Sequence, residues 1–336
     1  MSICIPLIRG ATVTPIRRWL RSQGKDPAPF LAQAGLEWLP ESDPLLPMPL
    51  RGAIRLLVAV AQAEGPDVAW RIVGAGSVAE IGLIGHAALR GPTVREGLLR
   101  VVGMMPLHVT HELFSVESVG DALHVRDGWT LNIGSDEVLH LVQQYVAAFV
   151  DVVCRSGTSD ISSIARVSMI PHPRAGLSHL RPWLGESLQA SDNRALDIWV
   201  DRDVASRPIP APVIKAAMES PTADHPLVPH GCGLAGSASV LMGAMLPHTK
   251  PTVDKIAAAA DLSPRTLRRR LRDEGVSFSD VLENTRARIA LERLQSGEVQ
   301  TLKELSDDLG YANQATLTRA MRRWTGQLPS ALLRHR

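Results

Sequence analysis

The sequence predicts an α+β domain over residues 1–212, a linker over 213–232 and an all-α domain over 233–336. Three observations predict this class. A length of 336 residues suits two domains, and 45% apolar residues suffice for packed cores. Helix and strand signals mix in the first part, whereas the last hundred residues carry helical signals only.

Four stretches of the first domain have helical periodicity. In "TPIRRWLRSQG", Thr14 is the expected N-cap, Pro15 takes the first helical position and Gly24 ends the helix. The others are "LRGAIRLLVAVAQAEG" (50–65), "PTVREGLLRVVGMM" (92–105) and, with the clearest pattern, "DEVLHLVQQYVAAFVDVVCRSG" (136–157).

Alternating stretches between and after these helices predict four or five strands. "ALHVRDGWTLNI" (122–133) is typical of a hairpin, because Asp127-Gly128 is a favoured two-residue turn. The other candidates are "HVTHELFSV" (108–116), "ISSIARVSMI" (161–170) and "ALDIWV" (195–200). Residues 207–233 hold six prolines and lose periodicity, which indicates the end of the domain and a linker.

The all-α domain begins with a short helix pair over about 252–274. A helix from Val253 to Ala260 is followed by a three-residue turn, and Ser263 is a good N-cap before Pro264. The second helix buries Leu267 and Leu271. Its outer surface carries Arg265, Thr266, Arg268, Arg269 and Arg272. This is the physical description of a helix-turn-helix with a cationic second helix.

A second helix-turn-helix unit repeats the plan over about 301–325. Leu302, Leu305 and Leu309 point inward, Gly310 allows a left-handed cap, and Asn313 caps the next helix. Leu317, Met321 and Trp324 form the expected buried stripe of that helix. Its outer face carries Gln314, Ala315, Thr318, Arg319, Arg322 and Arg323.

One long helix, "SFSDVLENTRARIALERLQSG" (277–297), joins the two units. Phe278, Leu282, Ile289 and Leu294 are expected to face them. A rigid connection fixes the separation of the two cationic helices. Helices on one side of a duplex enter successive major grooves about 34 Å apart.

Charge is distributed unevenly along the chain. From Cys232 to Arg336 there are 16 Lys and Arg against 11 Asp and Glu, whereas the rest has 20 against 23. This asymmetry indicates an anion-binding C-terminal domain. Apolar runs such as "LLVAVA" are too short to span a bilayer, and the first residues lack a secretory pattern. Three scattered cysteines form no disulfide framework, so we expect a cytoplasmic protein with reduced thiols.

The last hundred residues, 233–334, resemble the DNA-binding domain of AraC/XylS-family transcription regulators. The motifs are "LGY", "ANQAT", "LTRAM" and "WTGQLP", with Leu317 and Met321 where the family has Phe, and a first helix near 234–245. The resemblance implies binding to double-stranded promoter DNA, with RNA polymerase as a further partner and activation as the commoner outcome. Base edges would be approached by Arg265, Arg268, Arg269, Gln314, Ala315, Thr318 and Arg319, and phosphates by Arg272, Arg322 and Arg323.

Residues 6–210 resemble the N-terminal effector-binding domain of the branch that includes regulators of ornithine and arginine use. The motifs are "EIGLIGHAALRGPTVREGLLRV" (80–101) and the segment from "VSMIPHPRAG" to "DVASRPIP" (167–210). The resemblance implies a small-molecule effector and a homodimer. These motifs are glycines and apolar spacing, so they assign no effector-binding residue.

No residue pattern of this domain indicates catalysis, a metal or a cofactor. His86, His108, His111, His140 and His172 are scattered, and on an alternating strand His108 and His111 would face opposite ways. "VGAGS" (73–77) lacks a preceding strand and a third glycine. Trp70, Trp129 and Trp183 either pack in the core or line a pocket.

Two alternatives to an effector sensor stay open. The N-terminal domain is then either an enzyme that processes a metabolite, fused to a DNA-binding module, or a domain that contacts only partners. A converging set of titratable side chains in a pocket would favour the enzyme. Saturable stabilisation by a metabolite would favour the sensor over the partner-only domain.

Overall fold

The computed structural model describes residues 4–156, 164–219, 226–229, 232–296 and 301–327. In this part of the chain the strands are β1 (Leu7–Arg9), β2 (Pro47–Pro49), β3 (Glu112–Val119), β4 (Ala122–Trp129), β5 (Arg166–Met169), β6 (Leu188–Ala190) and β7 (Leu196–Val200). The N-terminal helices are α1 (Thr14–Ser22), α2 (Ala28–Ala34), α3 (Leu50–Glu64), α4 (Val68–Gly74), α5 (Leu83–Leu89), α6 (Val94–His108), α7 (Asp136–Arg155), α8 (Arg181–Leu184), α9 (Arg202–Ala205) and α10 (Ala211–Met218). The C-terminal helices are α11 (Leu234–Met245), α12 (Val253–Ala259), α13 (Pro264–Asp273), α14 (Phe278–Ser296), α15 (Leu302–Asp308) and α16 (Gln314–Thr325). The predicted class, α+β followed by all-α, is confirmed.

The main sheet of the first domain has the strand order β3-β4-β7-β5-β6. Its pairs are antiparallel except β5 with β6, which are parallel. One face carries the buried side chains Phe114, Val125, Ile198 and Val167, and α7 packs against this sheet. Strands β1 and β2 form a separate antiparallel pair.

The hairpin predicted within residues 122–133 is wrong, because residues 122–129 form the single strand β4, which makes a hairpin with β3 instead. Val119 pairs with Ala122, so Gly120-Asp121 makes the turn and Gly120 takes the positive φ of 58°. Asp127 lies inside β4 opposite Phe114 and is 1% exposed. Both dipeptides suit a two-residue turn, and the cross-strand pairing of buried side chains decided between them.

Two local expectations in the first domain were wrong. Helix α1 begins at Thr14 itself, with Val13 as an N-cap that makes no side-chain hydrogen bond, because a 3-10 turn over Gly10–Val13 leads directly into it. His108 ends α6, which continues past Pro106, and His111 has a φ of 69° outside the strands. The argument from strand alternation therefore did not apply to these two histidines.

Helix α7 is long and apolar enough to cross a membrane by length and composition alone. Of its most apolar window, 83% is buried inside the protein, as expected for the central helix of a domain core. Residues 211–218 of the proline-rich region form helix α10. Pro212 lies in the first turn of this helix, where a proline is tolerated. The domain boundary at 212 stays a prediction.

The C-terminal domain is divided between two cores. Buried side chains of α11, α12 and α13 belong to the same contiguous core as the N-terminal domain. The second unit has its own small cluster, formed by Leu246, Ala290, Leu294, Leu305, Leu309, Leu317 and Met321. Among the described residues, the first helix-turn-helix unit therefore shares a core with the N-terminal domain, and the second unit has a core of its own.

Candidate nucleic-acid interface and effector cavity

Helix α13 presents a cationic surface, and its cap and buried leucines determine which face of the helix is exposed. The hydroxyl of Ser263 accepts the N–H of Thr266 at 3.1 Å, Pro264 fills the first position, and Leu267 and Leu271 are fully buried. The side chains of Arg265, Arg268, Arg269 and Arg272 are exposed, and Thr266 is half-buried. Within the described residues, these four arginines form no ion pair. Their charges are free to meet an anionic partner.

Helix α16 of the second unit begins and ends as predicted. Asn313 accepts the N–H of Thr316 at 2.9 Å, and Gly326 takes the left-handed conformation with a φ of 73°. Exposed side chains on this helix are Gln314, Ala315, Arg319, Arg322 and Arg323. Thr318 is half-buried, and its hydroxyl donates to the carbonyl of Gln314 at 3.0 Å.

Two residues of α16 differ from the expected arrangement. The guanidinium of Arg323 donates to Glu283 of α14 at 2.6 Å, so this arginine is tied to the protein. Trp324 is half-buried and packs on Tyr311 with ring centroids 6.4 Å apart. The predicted buried stripe is correct for Leu317 and Met321 but wrong for Trp324, because α16 lies at the edge of a small core.

Arg286 of helix α14 contacts the second unit. The Nε of Arg286 donates to the carbonyl of Leu309 at 2.9 Å, and its guanidinium lies 4.6 Å from the centroid of the Tyr311 ring. Leu294 is buried as expected, whereas Phe278, Leu282 and Ile289 are only partly buried. The other buried side chains of α14 are Val281, Thr285 and Ala290. Thr285 and Ala290 are small enough for close packing, so a search for large apolar residues missed them.

The first unit is held against the N-terminal domain by polar contacts. The backbone N–H of Ile5 donates to the hydroxyl of Ser237 in α11 at 2.9 Å, and this contact is buried. Lys255 in α12 lies 3.5 Å from the carboxylate of Glu37. Glu274 accepts the N–H groups of Leu234 and Ala235 at 2.8 and 2.9 Å, which fixes α11 onto the end of α13.

A cavity lies inside the N-terminal domain between the main sheet and the helices α1, α3, α6 and α7. The cavity volume is about 80 Å³, and the cavity opens to solvent at a mouth. The lining residues are Ile8, Thr12, Ile16, Leu50, Ala53, Ile54, Leu57, Ile81, Ile84, Val101, Met105, His108, Glu112, Phe114, Trp129, Val142, Tyr145, Val146 and Phe149. Most of this wall is aliphatic or aromatic.

Glu112, His108 and Tyr145 interrupt the apolar wall, and the buried Asp127 neighbours Glu112 on the next strand. Burial raises the pKa of Glu112, and burial together with the neighbouring Glu112 carboxylate raises the pKa of Asp127 well above its ordinary value. Burial, reinforced by the charge of Arg9, lowers the pKa of His108 to about 3, so its imidazole is neutral. Tyr145 donates its hydroxyl to the carbonyl of Thr12 at 2.9 Å.

These groups converge although no sequence motif indicated it. Glu112 and Asp127 belong to neighbouring strands, and His108 ends the helix before them. Each of the two alternating runs contains an acidic residue, Glu112 or Asp127, and this could have indicated the acidic corner. Asp127 was instead interpreted as a turn residue. Of the three tryptophans considered, Trp129 lines the cavity, whereas Trp70 is buried and packs on Trp183 with centroids 6.4 Å apart.

Three histidines come together elsewhere in the domain. The ring of His140 lies with its centroid 5.5 Å from that of His172 and 5.0 Å from that of His179. The Nδ1 of His140 donates to the carbonyl of Ile170 at 2.6 Å, and its Nε2 lies 2.9 Å from that of His179. Among the described residues, no group of three His, Cys, Asp or Glu side chains has a geometry that holds a metal.

Two families of known proteins match this chain. Residues 24–209 match the N-terminal arabinose-binding domain of AraC transcription regulators, and residues 256–335 match a helix-turn-helix domain. The first match alone covers more than half of the chain.

Several bacterial transcription regulators are similar to this chain. The regulator VirS of Mycobacterium tuberculosis is 25% identical over 327 residues, which are 96% of this chain and 95% of VirS. The ornithine utilization regulator of Pseudomonas aeruginosa is 36% identical over 80 residues, 24% of this chain and 23% of that protein. The crystal structure of the transcriptional regulator CdpR from Pseudomonas aeruginosa aligns with a TM-score of 0.41 at 17% identity, covering 94% of this chain and 96% of CdpR.

Proposed function

Because the chain belongs to the AraC family of transcription regulators, we propose that α13 and α16 bind promoter DNA and that the cavity of the N-terminal domain binds the effector. An N-terminal effector-binding domain and a C-terminal helix-turn-helix domain define a one-component transcription regulator.

The observation that carries the DNA-binding proposal is the row of exposed arginines on α13 that form no ion pair within the described residues. In the major groove, arginine can form two hydrogen bonds with guanine, and glutamine can form two with adenine. We assign base contacts to Arg265, Arg268, Arg269, Gln314, Ala315, Thr318 and Arg319. We assign phosphate contacts to Thr266, Arg272, Arg322 and Arg323. Arg323 must leave Glu283 to make its contact.

The cavity supports an effector role for the N-terminal domain. Its wall is mostly apolar and carries a few polar groups that can orient a small molecule. The convergence of Glu112, Asp127 and His108 also meets the criterion set for an enzyme-like domain. We propose binding without turnover, because the family consists of regulators. Mass spectrometry of a bound compound after prolonged incubation tests this, and recovery of a modified compound would favour the enzyme.

We further propose that the protein acts in the cytoplasm as a homodimer, that it activates transcription and that it contacts RNA polymerase. Support for these steps comes from the family alone. A reporter assay with the purified components tests them. Repression on adding the protein would contradict the proposed activation, and monomeric protein on operator DNA would contradict the dimer.

A direct experiment tests the DNA-binding residues. The wild-type protein selects an operator from a random duplex pool, and footprinting then maps the protected bases. We expect protection of two successive major grooves about 34 Å apart for each C-terminal domain. The variant Arg268→Ala/Arg269→Ala should lose the protection of one groove. Arg174→Ala is the matched control, since Arg174 is exposed on the N-terminal domain. An unchanged footprint in the double variant would remove α13 from the interface.

A further inference from the structure

The wall of the effector cavity carries one carboxylate opposite one aromatic ring. Glu112 of β3 and Trp129 of β4 are directly opposed residues in the antiparallel register, so both side chains lie on the same face of the sheet. Directly opposed side chains have Cβ atoms about 5 Å apart. Both residues line the cavity, so a carboxylate and the ring of an indole border the same space.

A second carboxylate reinforces the negative character of this corner. Asp127 lies on the same face of β4, two residues before Trp129, and is 1% exposed. The carboxyl group of Asp127 lies within hydrogen-bonding reach of the Glu112 carboxyl group and of the backbone N–H of Gly128. In the described part of the chain, the Nδ1 of His108 lacks a hydrogen-bond partner. The nineteen lining residues, all of them described, include no lysine and no arginine. The acidic corner therefore has no cationic group of its own within the cavity wall.

The chemistry of this corner selects the ligand. A negative charge on either of two adjoining buried carboxyl groups is costly, and a cation brought close to the pair relieves that cost. The face of an indole ring attracts a cation as well. A carboxylate on a ligand would instead face Glu112 and Asp127 in a medium that screens charge poorly. A neutral hydroxyl would lack the ionic part of the attraction.

We propose that the effector is an apolar molecule that carries one protonated amine, held between the carboxylate of Glu112 and the ring of Trp129. The apolar body lies along Leu57, Val142 and Phe149 of the helices opposite the sheet. This inference rests on the proposed function of the cavity as the effector site and adds the chemical class of the effector.

A matched series of probes tests the inference on the full-length protein. The probes are n-octylamine, 1-octanol and octanoate, which share a hydrocarbon chain and differ only in the polar end. Isothermal titration calorimetry gives the dissociation constant of each. We expect octylamine to bind at least tenfold more tightly than octanol, and octanoate to bind most weakly.

Two variants locate the effect at Glu112. Glu112→Gln keeps the shape of the side chain and removes its charge, so the preference of octylamine over octanol should fall to less than threefold. Retained octanol binding and a cooperative melting curve establish that this variant is folded. Glu117→Gln is the matched control, because Glu117 is exposed on the opposite face of the same strand and should leave all three dissociation constants unchanged.

The outcomes separate this inference from the proposed function. If octanoate or octanol binds most tightly, the cavity is a ligand site but the cationic class is wrong. An amine preference that survives in Glu112→Gln also overturns the inference. If none of the probes binds, the cavity itself is not the effector site, and both proposals about it fail together.

Discussion

The guanidinium of Arg51, in the first turn of α3, lies 3.1 Å from the carboxylate of Asp261, in the turn between α12 and α13. Asp261 has a φ of 57°, a left-handed conformation that Asp and Asn tolerate better than most residues. Other residues of α3, among them Ala53 and Leu57, line the effector cavity. One helix therefore contacts both the cavity and the turn of the first helix-turn-helix unit.

We expect removal of this ion pair to raise the operator affinity of the effector-free protein. The pair stabilises the arrangement in which the first unit is docked, so its loss favours units free to adapt to DNA. Arg51 is 25% and Asp261 67% exposed, which limits the pair to about 0.2–1 kcal/mol, or roughly a fivefold change at most. Operator titrations of Arg51→Gln and Asp261→Asn give the measurement.

A double-mutant cycle separates the pair from other effects of the two changes. The double variant should bind operator no more tightly than either single variant, because both remove the same interaction. Arg21→Gln is the control, since its partner Glu41 belongs to the same domain and the pair is distant from α12 and α13 in sequence. A fall in operator affinity would mean that the docked arrangement is the one that binds DNA.

Salt dependence is expected to report the phosphate contacts of α13 and α16. Each phosphate neutralised by an arginine contributes roughly −0.9 to the slope of log affinity against log salt concentration. Arg272→Gln should therefore reduce the slope by about 1, whereas Arg174→Gln on the N-terminal domain should not change it. Fluorescence anisotropy of labelled operator at several salt concentrations provides the data. A flat salt titration of the wild-type protein would contradict the DNA-binding role.

Arg269→Ala is expected to weaken specific binding by about 1–3 kcal/mol if Arg269 reads a guanine. The loss should be concentrated on the operator, with a much smaller effect on scrambled DNA of the same length. Arg270→Ala serves as a control because Arg270 is the half-buried neighbour on the same helix, with the same charge. Equal losses on both DNAs would make Arg269 a phosphate contact instead.

The helix-turn-helix units were predictable from the sequence because their signals are local. Ser263 and Asn313 act at helix starts by accepting hydrogen bonds from residues three positions away. Pro264 acts through its fixed backbone angle at the first helical position, and Gly310 and Gly326 act through their own backbone conformation. Such signals do not depend on the rest of the chain. The long helix α14 was predicted as one uninterrupted stretch, and the structure adds the reciprocal hydrogen bonds of Ser277 and Asp280 at its start.

The cavity was not predictable because its parts are distant in the sequence. Thr12, Ile54, Glu112 and Tyr145 come from four different elements, and only the packing of α3, α6 and α7 on the sheet brings them together. The predicted position of the hairpin turn was wrong for a related reason. Asp127-Gly128 suits a turn locally, but burial of β4 against β3 and β7 overrides that preference.

The separate core of the second unit predicts unequal effects of two substitutions in α16. Leu317 is fully buried, so Leu317→Ala should cost about 2–5 kcal/mol of local stability. Trp324 is only half-buried, so Trp324→Ala should cost less than the 3–5 kcal/mol typical of a buried tryptophan. Hydrogen exchange of α15 and α16 measures both. Equal protection of α12 in wild-type and Leu317→Ala protein would establish that the second unit opens independently.

The raised pKa of Glu112 predicts how stability varies with pH. Burial raises this pKa from 4.5 to about 7, so the folded protein binds the proton more tightly than the unfolded chain. The resulting stabilisation is fully present below pH 4.5 and is lost as the pH rises through about 7. Asp127 on β4, with a raised pKa, neighbours Glu112, and His108 on α6, with a lowered pKa, lines the same cavity. His108 acts with the opposite sign, because its contribution is present above pH 6.5 and is lost as the pH falls towards 3.

Glu112→Gln should separate these contributions. In the wild-type protein, Glu112 lowers the free energy of unfolding by at most about 1.4 kcal/mol per pH unit as the pH rises from 5 to 7. The variant lacks this decrease, so the difference in unfolding free energy between variant and wild type should grow with pH over that range. Urea denaturation at pH 5, 6 and 7 measures it, with Glu117→Gln as the exposed control on the same strand. A difference that is constant with pH would mean that Glu112 keeps an ordinary pKa and does not share a buried site with Asp127.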